Sequence, residues 1–285
     1  MKFALITGAL GGIGAALCEV FHRAGYYVIG TDRQLPEGLS ERVLQASVVG
    51  HGAAVEGGAS SQASGGSAVL ELDEECGYPC CQAFLHLNIR DLYRCPEKRK
   101  EVQQQVRALV GEHGLKVLVN NAATQILNPT DAITTEDWDE TLETNLIAPF
   151  LFTQMLLPDL ERAKGSVVNI ASIHSEATKP GFVCYATSKA GLVGMTRAMA
   201  VDLGPRVRVN AVNPAATATP MLLAGFEGKS AEFDDLAKKH PLERIAQPWE
   251  VAKTALFLAS EDAAFITGAC FAIDGGIGGR LHDPV

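Results

Sequence analysis

The sequence has no uninterrupted apolar run near the roughly 20 residues that cross a bilayer, so a helical membrane protein is not expected. Aromatic residues make up only 6% of the chain, and 24 Lys and Arg stand against 33 Asp and Glu. The formal charge of −9 argues against a nucleic-acid backbone or an anionic membrane as the main partner, because the summed field repels both. A small-molecule ligand is the expectation that remains. Seven cysteines form no regular framework, and an odd number cannot all pair within one chain, which points to a reducing, cytoplasmic setting. Met1-Lys2 before Phe3-Ala4-Leu5-Ile6 could imitate a secretory leader. Thr7-Gly8 and Gly11-Gly12 break that apolar stretch at once, so it reads as a first buried strand of a soluble protein.

What is present is a large apolar fraction, 47% of 285 residues, with 20% charged. That balance excludes disorder, fibrous repeats and small disulfide scaffolds. Short runs rich in Val, Ile and Leu recur at Phe3–Ile6, Tyr26–Gly30, Phe84–Leu87, Lys116–Val119, Ser166–Ile170, Val207–Ala211 and Cys270–Ile273, with helical periodicity between them. Continuous rather than alternating hydrophobicity means both faces of each strand are covered, and intervening helices mean parallel crossovers. The expected architecture is a Rossmann-type doubly wound α/β fold, with seven parallel strands in a single domain over residues 1–285. Ligands of such sheets bind at the carboxyl ends of the strands.

Glycine is plentiful, 28 residues against roughly 20 at average usage. Six of them fall in residues 50–67 together with four serines and one charge, a composition that cannot bury enough apolar surface to order itself. A flexible insertion at about 45–80 is expected there. Beside it lie Cys76, Cys80, Cys81 and Cys95, whose spacing lacks the paired C-x-x-C of common zinc sites. Free loop thiols are the expected state, and no metal is expected. Arg94, Lys98, Arg99 and Lys100 alternate with Glu97 and Glu101, the pattern of a solvated helix start.

The informative glycines follow the first strand, in Thr7-Gly8-Ala9-Leu10-Gly11-Gly12-Ile13-Gly14 before an amphipathic run from Ala15 to Ala24. A helix N-terminus binds phosphate when the backbone can approach without a Cβ and leave its amides free to donate. The spacing of Gly8, Gly12 and Gly14 differs from the G-x-G-x-x-G of other dinucleotide folds. Eighteen residues beyond Gly14, Asp32 ends the second strand. A carboxylate there can accept both adenosine ribose hydroxyls and repels a 2′-phosphate, which favours NAD over NADP although Arg33 is adjacent. The plain structural alternative for Asp32 is a turn or cap residue.

Tyr185-Ala186-Thr187-Ser188-Lys189 opens an apolar helix, with the tyrosine and lysine one turn apart on one face. A phenol titrating near pH 10 is a poor base at neutrality, and a neighbouring ammonium stabilises its phenolate, as general acid–base chemistry needs. Ser172 follows a buried strand, where its hydroxyl could hold a reacting oxygen.

Together these residues resemble the short-chain dehydrogenase/reductase family, from the first strand to the last apart from the insertion. The family's cofactor turn is matched by Gly8, Leu10, Gly12, Ile13 and Gly14. Its Asn-Asn-Ala-Gly is matched by Asn120-Asn121-Ala122-Ala123, and its adenine-contacting Asp-Val by Asn88-Ile89. Its Pro-Gly-x-x-x-Thr looks like Pro214-Ala215-Ala216-Thr217-Ala218-Thr219, and its closing segment like Thr267-Gly268 and Asp274-Gly275-Gly276. The resemblance implies a catalytic set of Asn145, Ser172, Tyr185 and Lys189. Lys189 would also bind the nicotinamide ribose, Asn145 would support a proton-relaying water, and Thr219 would hold the carboxamide. Alanine at 123 and 215 puts methyl groups near the expected cofactor, and Asn88 keeps an acceptor while losing charge. The resemblance also implies a homo-oligomer, a tetramer or dimer, built on helices at about Asp137–Leu160 and Cys184–Leu203.

Gln125 and His174 fall near the expected reacting carbon and are the candidate substrate contacts. A mobile apolar lid is expected over Thr217–Arg244, with Met221, Leu222, Leu223 and Phe226. Ser172-Ile173-His174 is similar to segments in family members that oxidise sugars or short hydroxy acids. The expected substrate is therefore a small polar secondary alcohol or its ketone. The alternative is a non-catalytic NAD(H)-binding sensor or scaffold on the same fold.

Overall fold

The computed structural model describes residues 1–35, the backbone of 69–71, and 80–281. The strands are β1 (Lys2–Thr7), β2 (Tyr26–Asp32), β3 (Val69–Glu71), β4 (Ala83–His86), β5 (Val117–Asn120), β6 (Ser166–Ile170), β7 (Arg208–Pro214) and β8 (Cys270–Ile273). The helices between them are α1 (Gly12–Arg23), α2 (Asp91–Arg94), α3 (Pro96–Val110), α4 (Thr135–Leu142) and α5 (Ala148–Arg162). They continue with α6 (Val183–Leu203), α7 (Pro220–Gly225), α8 (Ser230–Lys239) and α9 (Pro248–Ala259).

The sheet order is β3-β4-β2-β1-β5-β6-β7-β8. The seven expected strands are all parallel, and the short β3 adds an antiparallel edge against β4. Val69–Glu71, inside the segment expected as a flexible insertion at about 45–80, pairs with β4: a brief Val-Leu pair next to a Gly/Ser-rich stretch finds backbone partners on an open sheet edge. The rest of that segment, residues 45–68 and 72–79, lies outside the described residues.

Both faces of the sheet are covered, which explains the unbroken hydrophobicity of the strands. On one face Val102, Val106 and Val110 of α3, Phe152 and Leu156 of α5, and Leu203 of α6 pack on Leu5, Leu118 and Val167. On the other, Leu17 and Phe21 of α1 and Val251, Ala255 and Leu258 of α9 pack on Ile6, Val119 and Val168. Strand order reverses on either side of β1, so the crevice at the carboxyl ends of β1 and β5 is the topological switch point.

Of the cysteines expected as free loop thiols, Cys80 and Cys95 are free and lie outside helix and strand, while Cys81 departs. Cys81 is buried in the α1 face of the core, where its thiol interacts with that of Cys18. Cys76 lies outside the described residues. Among the described residues no group of His, Cys, Asp and Glu is arranged to hold a metal ion. No described helix is long and apolar enough to cross a membrane.

Candidate active site

Three strand ends and two helices converge at the switch point. Gly8 has a left-handed φ of +66°, and a Cβ there would sit 2.8 Å from Ala122 Cα. At Gly14 a Cβ would overlap the Gly8 carbonyl oxygen, so α1 can begin this close to the turn only without a side chain. Asn121 fixes the turn from β5, donating through Nδ2 to the carbonyls of Thr7 (2.9 Å) and Gly8 (3.1 Å). Thr7 Oγ1 in return accepts the Asn121 and Ala122 amides at 2.9 and 3.0 Å. The glycine turn and Asp32 beside it fit a dinucleotide, with the side chains of Thr219 and Pro220 standing over the first residue of α1. Asp32 accepts from the amides of Leu10 at 3.1 Å and Gln34 at 3.2 Å, which hold its carboxylate at the end of β2 beside that turn.

Asn88 is exposed after β4, and its Oδ1 accepts the Arg90 amide at 3.2 Å, while Ile89 is buried. From β7, Pro214 leads into Thr217, which is buried and donates to the Ala215 carbonyl at 3.1 Å. Thr219 caps α7 by accepting the Leu222 amide at 3.2 Å. Thr219 and Pro220 press directly on the α1 start: a Cβ on Gly12 would lie 2.8 Å from Pro220 Cδ. The segment expected as a lid holds two short helices rooted on the glycine turn, with Met221 and Leu223 exposed and Phe226 against Phe233 at 5.6 Å.

Tyr185 and Lys189 lie on the first turns of α6. The Tyr185 phenol has Ser172 as its hydrogen-bond partner, and burial raises its pKa despite that bond. Lys189 is buried, and desolvation pulls its pKa down to about 7. Its Nζ donates to the Ile170 carbonyl at 2.8 Å and lies 5.7 Å from the Tyr185 ring centre. The ammonium was expected to draw the phenol down. In the structure burial dominates both groups and pushes them toward their neutral forms.

Asn145 sits in a wider π turn, Glu143–Ile147, between α4 and α5. Its side chain accepts the Thr124 amide (2.8 Å) and donates to the Thr124 carbonyl (2.9 Å) and Ser188 Oγ (3.0 Å). The side chain thereby ties the segment after β5 to the Tyr185 helix. His174 is half-buried and stacks on Phe182 at 4.2 Å, edge-on to Tyr185 at 5.7 Å. Its Nδ1 pairs with Thr178 Oγ1 at 3.0 Å, and burial and the Lys179 charge lower its pKa. Gln125 is exposed on the same segment as Thr124.

Two features escaped the sequence. Phe182 walls Tyr185 jointly with His174, and its only sequence signal was an aromatic residue just ahead of the helix. Arg94, read as part of a solvated helix start, reaches back to the buried Glu143, as does Arg90.

The fold and this constellation define a nucleotide-dependent oxidoreductase. A family model described as enoyl-(acyl carrier protein) reductase matches residues 49–278. The chain is 33% identical over 279 residues to a 3-oxoacyl-[acyl-carrier-protein] reductase, FabG, of Thermotoga maritima, covering 97% of each. It is 33% identical to a D-threitol dehydrogenase of Mycolicibacterium smegmatis, over 96% of this chain and 92% of the relative. The solved structure of ElxO with NADP bound superposes with a TM-score of 0.76 at 25% identity, covering 98% of this chain and 99% of that one. The chain belongs to the short-chain dehydrogenase/reductase family.

Proposed function

We propose that this enzyme transfers hydride between NAD(H) and a small polar secondary alcohol or its ketone, of the sugar, polyol or hydroxy-acid class. The observation that carries the reading is the meeting of Ser172, Tyr185 and buried Lys189 at the end of β6, with β5 between it and the Asn121-braced glycine turn after β1. When bound, the nicotinamide accepts or supplies the hydride. Tyr185 exchanges the hydroxyl proton with the substrate oxygen, and Ser172 holds that oxygen. Lys189 binds the nicotinamide ribose and stabilises the phenolate. Asn145 backs this helix and supports a water that passes protons to solvent.

Cofactor contacts are assigned to Gly8, Leu10, Gly12, Ile13, Gly14, Asp32, Asn88, Ile89, Asn121, Ala122, Pro214, Thr217 and Thr219, together with Tyr185 and Lys189. Asp32 supports NAD, because its carboxylate at the end of β2 repels a 2′-phosphate. The NADP in ElxO makes this preference the point to measure. His174 and Gln125 are assigned to a second polar group on the substrate. His174 is held neutral and its Nδ1 is engaged by Thr178, which leaves Nε2 for that contact. The D-threitol dehydrogenase among the relatives supports a polyol. Pairing of the α4–α5 and α6 faces into a homo-oligomer is supported by exposed Phe150, Val183 and Val201.

A panel of polyols, sugars, hydroxy acids, steroids and acyl thioesters, followed by absorbance with NAD and with NADP, tests the reading. Turnover of small polyhydroxy or hydroxy-acid substrates with NAD is expected. Activity confined to steroids or long acyl chains would exclude the substrate class, and inert protein that still binds NADH would exclude catalysis. A 30 kDa species in light scattering would refute oligomerisation.

A further inference from the structure

Glu143 is a buried carboxylate on the π turn, and its backbone carbonyl accepts the i+5 bond, from the Ala148 amide, that makes the turn wider than an α-helix. Two guanidinium groups from the segment after β4 hold its side chain. Arg90 Nε donates at 2.8 Å, and Arg94 Nε donates at 3.0 Å to either carboxylate oxygen. Burial alone would raise the Glu143 pKa, but these two partners outweigh it and hold the carboxyl below its ordinary range. Asn145 lies two residues on, so it leaves the opposite side of the turn and faces Thr124 and Ser188.

The links form one continuous polar chain. Asn88 accepts the Arg90 amide at 3.2 Å, and Arg90 also donates to Glu140 at 3.3 Å. Glu140 accepts the Thr124 hydroxyl at 3.4 Å, the Thr124 amide donates to Asn145 at 2.8 Å, and Asn145 donates to Ser188 at 3.0 Å. Ser188 Oγ in turn donates to the Tyr185 carbonyl at 2.7 Å. A buried ion pair of this kind is weak evidence for stability, since well-packed apolar residues often serve as well, while its fixed directions specify geometry. π turns recur at functional sites, and this one places its clamp on one side and Asn145 on the other.

We propose that Glu143, clamped by Arg90 and Arg94, is a positioning residue that sets Asn145 against Thr124 and Ser188 and so orients the helix carrying Tyr185. It touches neither substrate nor cofactor. Its two arginine partners come from the segment that carries Asn88, which makes the Asn88 side of the crevice and the Tyr185 helix mechanically continuous.

The test compares wild type with Glu143→Gln, Glu143→Asp, Asn145→Ala and the double variant Glu143→Gln/Asn145→Ala. A control, Arg107→Gln, loosens the separate Arg107–Asp159 pair (3.0 Å). Amide hydrogen exchange in the 121–128 peptide is expected to rise about tenfold in Glu143→Gln, because the Thr124 amide loses its fixed acceptor. The control should leave that peptide unchanged. The NADH dissociation constant, from fluorescence titration, should stay within about threefold, since the clamp meets the cofactor side through Asn88, while Asp32 and the glycine turn do not touch it. Turnover is expected to fall by about 10- to 100-fold with substrate KM little changed, the scale of a slight misplacement of reacting groups. Glu143→Asp should recover part of it. In the Asn145→Ala background the Glu143→Gln change should cost nothing more, because both act through one contact.

Unchanged exchange at 121–128, or losses from Glu143 and Asn145 that simply add, overturn the proposal. The turnover and NADH arms rest on the function proposed above, whereas exchange does not. A wild type inert toward every substrate would therefore fail that reading while the exchange result still judges the clamp.

Discussion

Lys189 follows Tyr185 by one helical turn, yet its ammonium donates to the Ile170 carbonyl at 2.8 Å rather than to the phenol. The carbonyl holds the charged head at the end of β6, in a pocket from which water is excluded. Burial then costs the charged form so much that Lys189 titrates at about 7. The same dehydration raises Tyr185. Burial thus favours the uncharged form of both groups, and Lys189, titrating at about 7, is close to half-protonated near pH 7.

This has a consequence for stability. The folded pKa of Lys189 lies below its unfolded value near 10.4, so between about pH 7 and pH 10 the unfolded chain binds the extra proton. Stability from this group is therefore lowest below pH 7 and rises with pH through that window, at up to about 1.4 kcal/mol per unit. Cys270, pushed up to about 11 by burial, works in the opposite direction above the unfolded thiol pKa. The difference between wild type and Lys189→Met isolates the lysine. Urea unfolding from pH 6.5 to 9.5 should show the variant gaining most over wild type at the acid end, with the gap closing as pH rises. A gap independent of pH would contradict the depressed lysine.

Tyr185→Phe removes the phenolic hydroxyl and its bond with Ser172 while leaving the ring packed edge-on against His174 and Phe182. Turnover should fall by about 10²- to 10⁴-fold, the range of a lost proton-transfer group. NADH affinity measured by fluorescence should be nearly unchanged. Wild-type turnover in this variant would remove Tyr185 from the chemistry.

Asp32→Ala tests cofactor choice. Its carboxylate is held by the Leu10 and Gln34 amides at 3.1 and 3.2 Å, with the exposed Arg33 beside it. Deleting the charge removes repulsion toward a 2′-phosphate and leaves Arg33 to attract one. The ratio of kcat/KM for NAD over NADP should drop by about 10- to 100-fold, one to two decades of binding energy at 1.4 kcal/mol each. A ratio that stays put would place discrimination elsewhere.

The strands were legible because a sheet covered on both faces needs unbroken apolar runs: β6 matches its expected limits residue for residue, and β5 within one. Tyr185 and Lys189 were legible from the i, i+4 spacing, and the glycine turn from its place between strand and helix. Glu143 was not, since one carboxylate in Glu140-Thr141-Leu142-Glu143 looks like a solvated helix face. Only the fold brings Arg90 and Arg94 across some 50 residues of sequence to bury it. Cys81 escaped for the reverse reason. It sits next to a Gly/Ser-rich stretch and looks exposed, but sequence does not say that the strand following it carries it under α1.

Glycine substitutions separate the turn from the rest of the fold. At Gly14 a Cβ would overlap the Gly8 carbonyl oxygen, which is backbone and cannot rotate away. Gly14→Ala must therefore push α1 off the turn or distort Gly8, whose φ of +66° is already left-handed. A loss of about 1–3 kcal/mol is expected from such overpacking, together with NADH binding weakened well beyond twofold. Gly194, within α6, has open space where a Cβ would go. Gly194→Ala should be neutral or stabilise by up to about 1 kcal/mol, because alanine loses less chain entropy in a helix. Thermal melts and NADH titrations of the two variants give the contrast directly. If Gly14→Ala kept wild-type affinity, the glycine turn would not be where the dinucleotide meets α1.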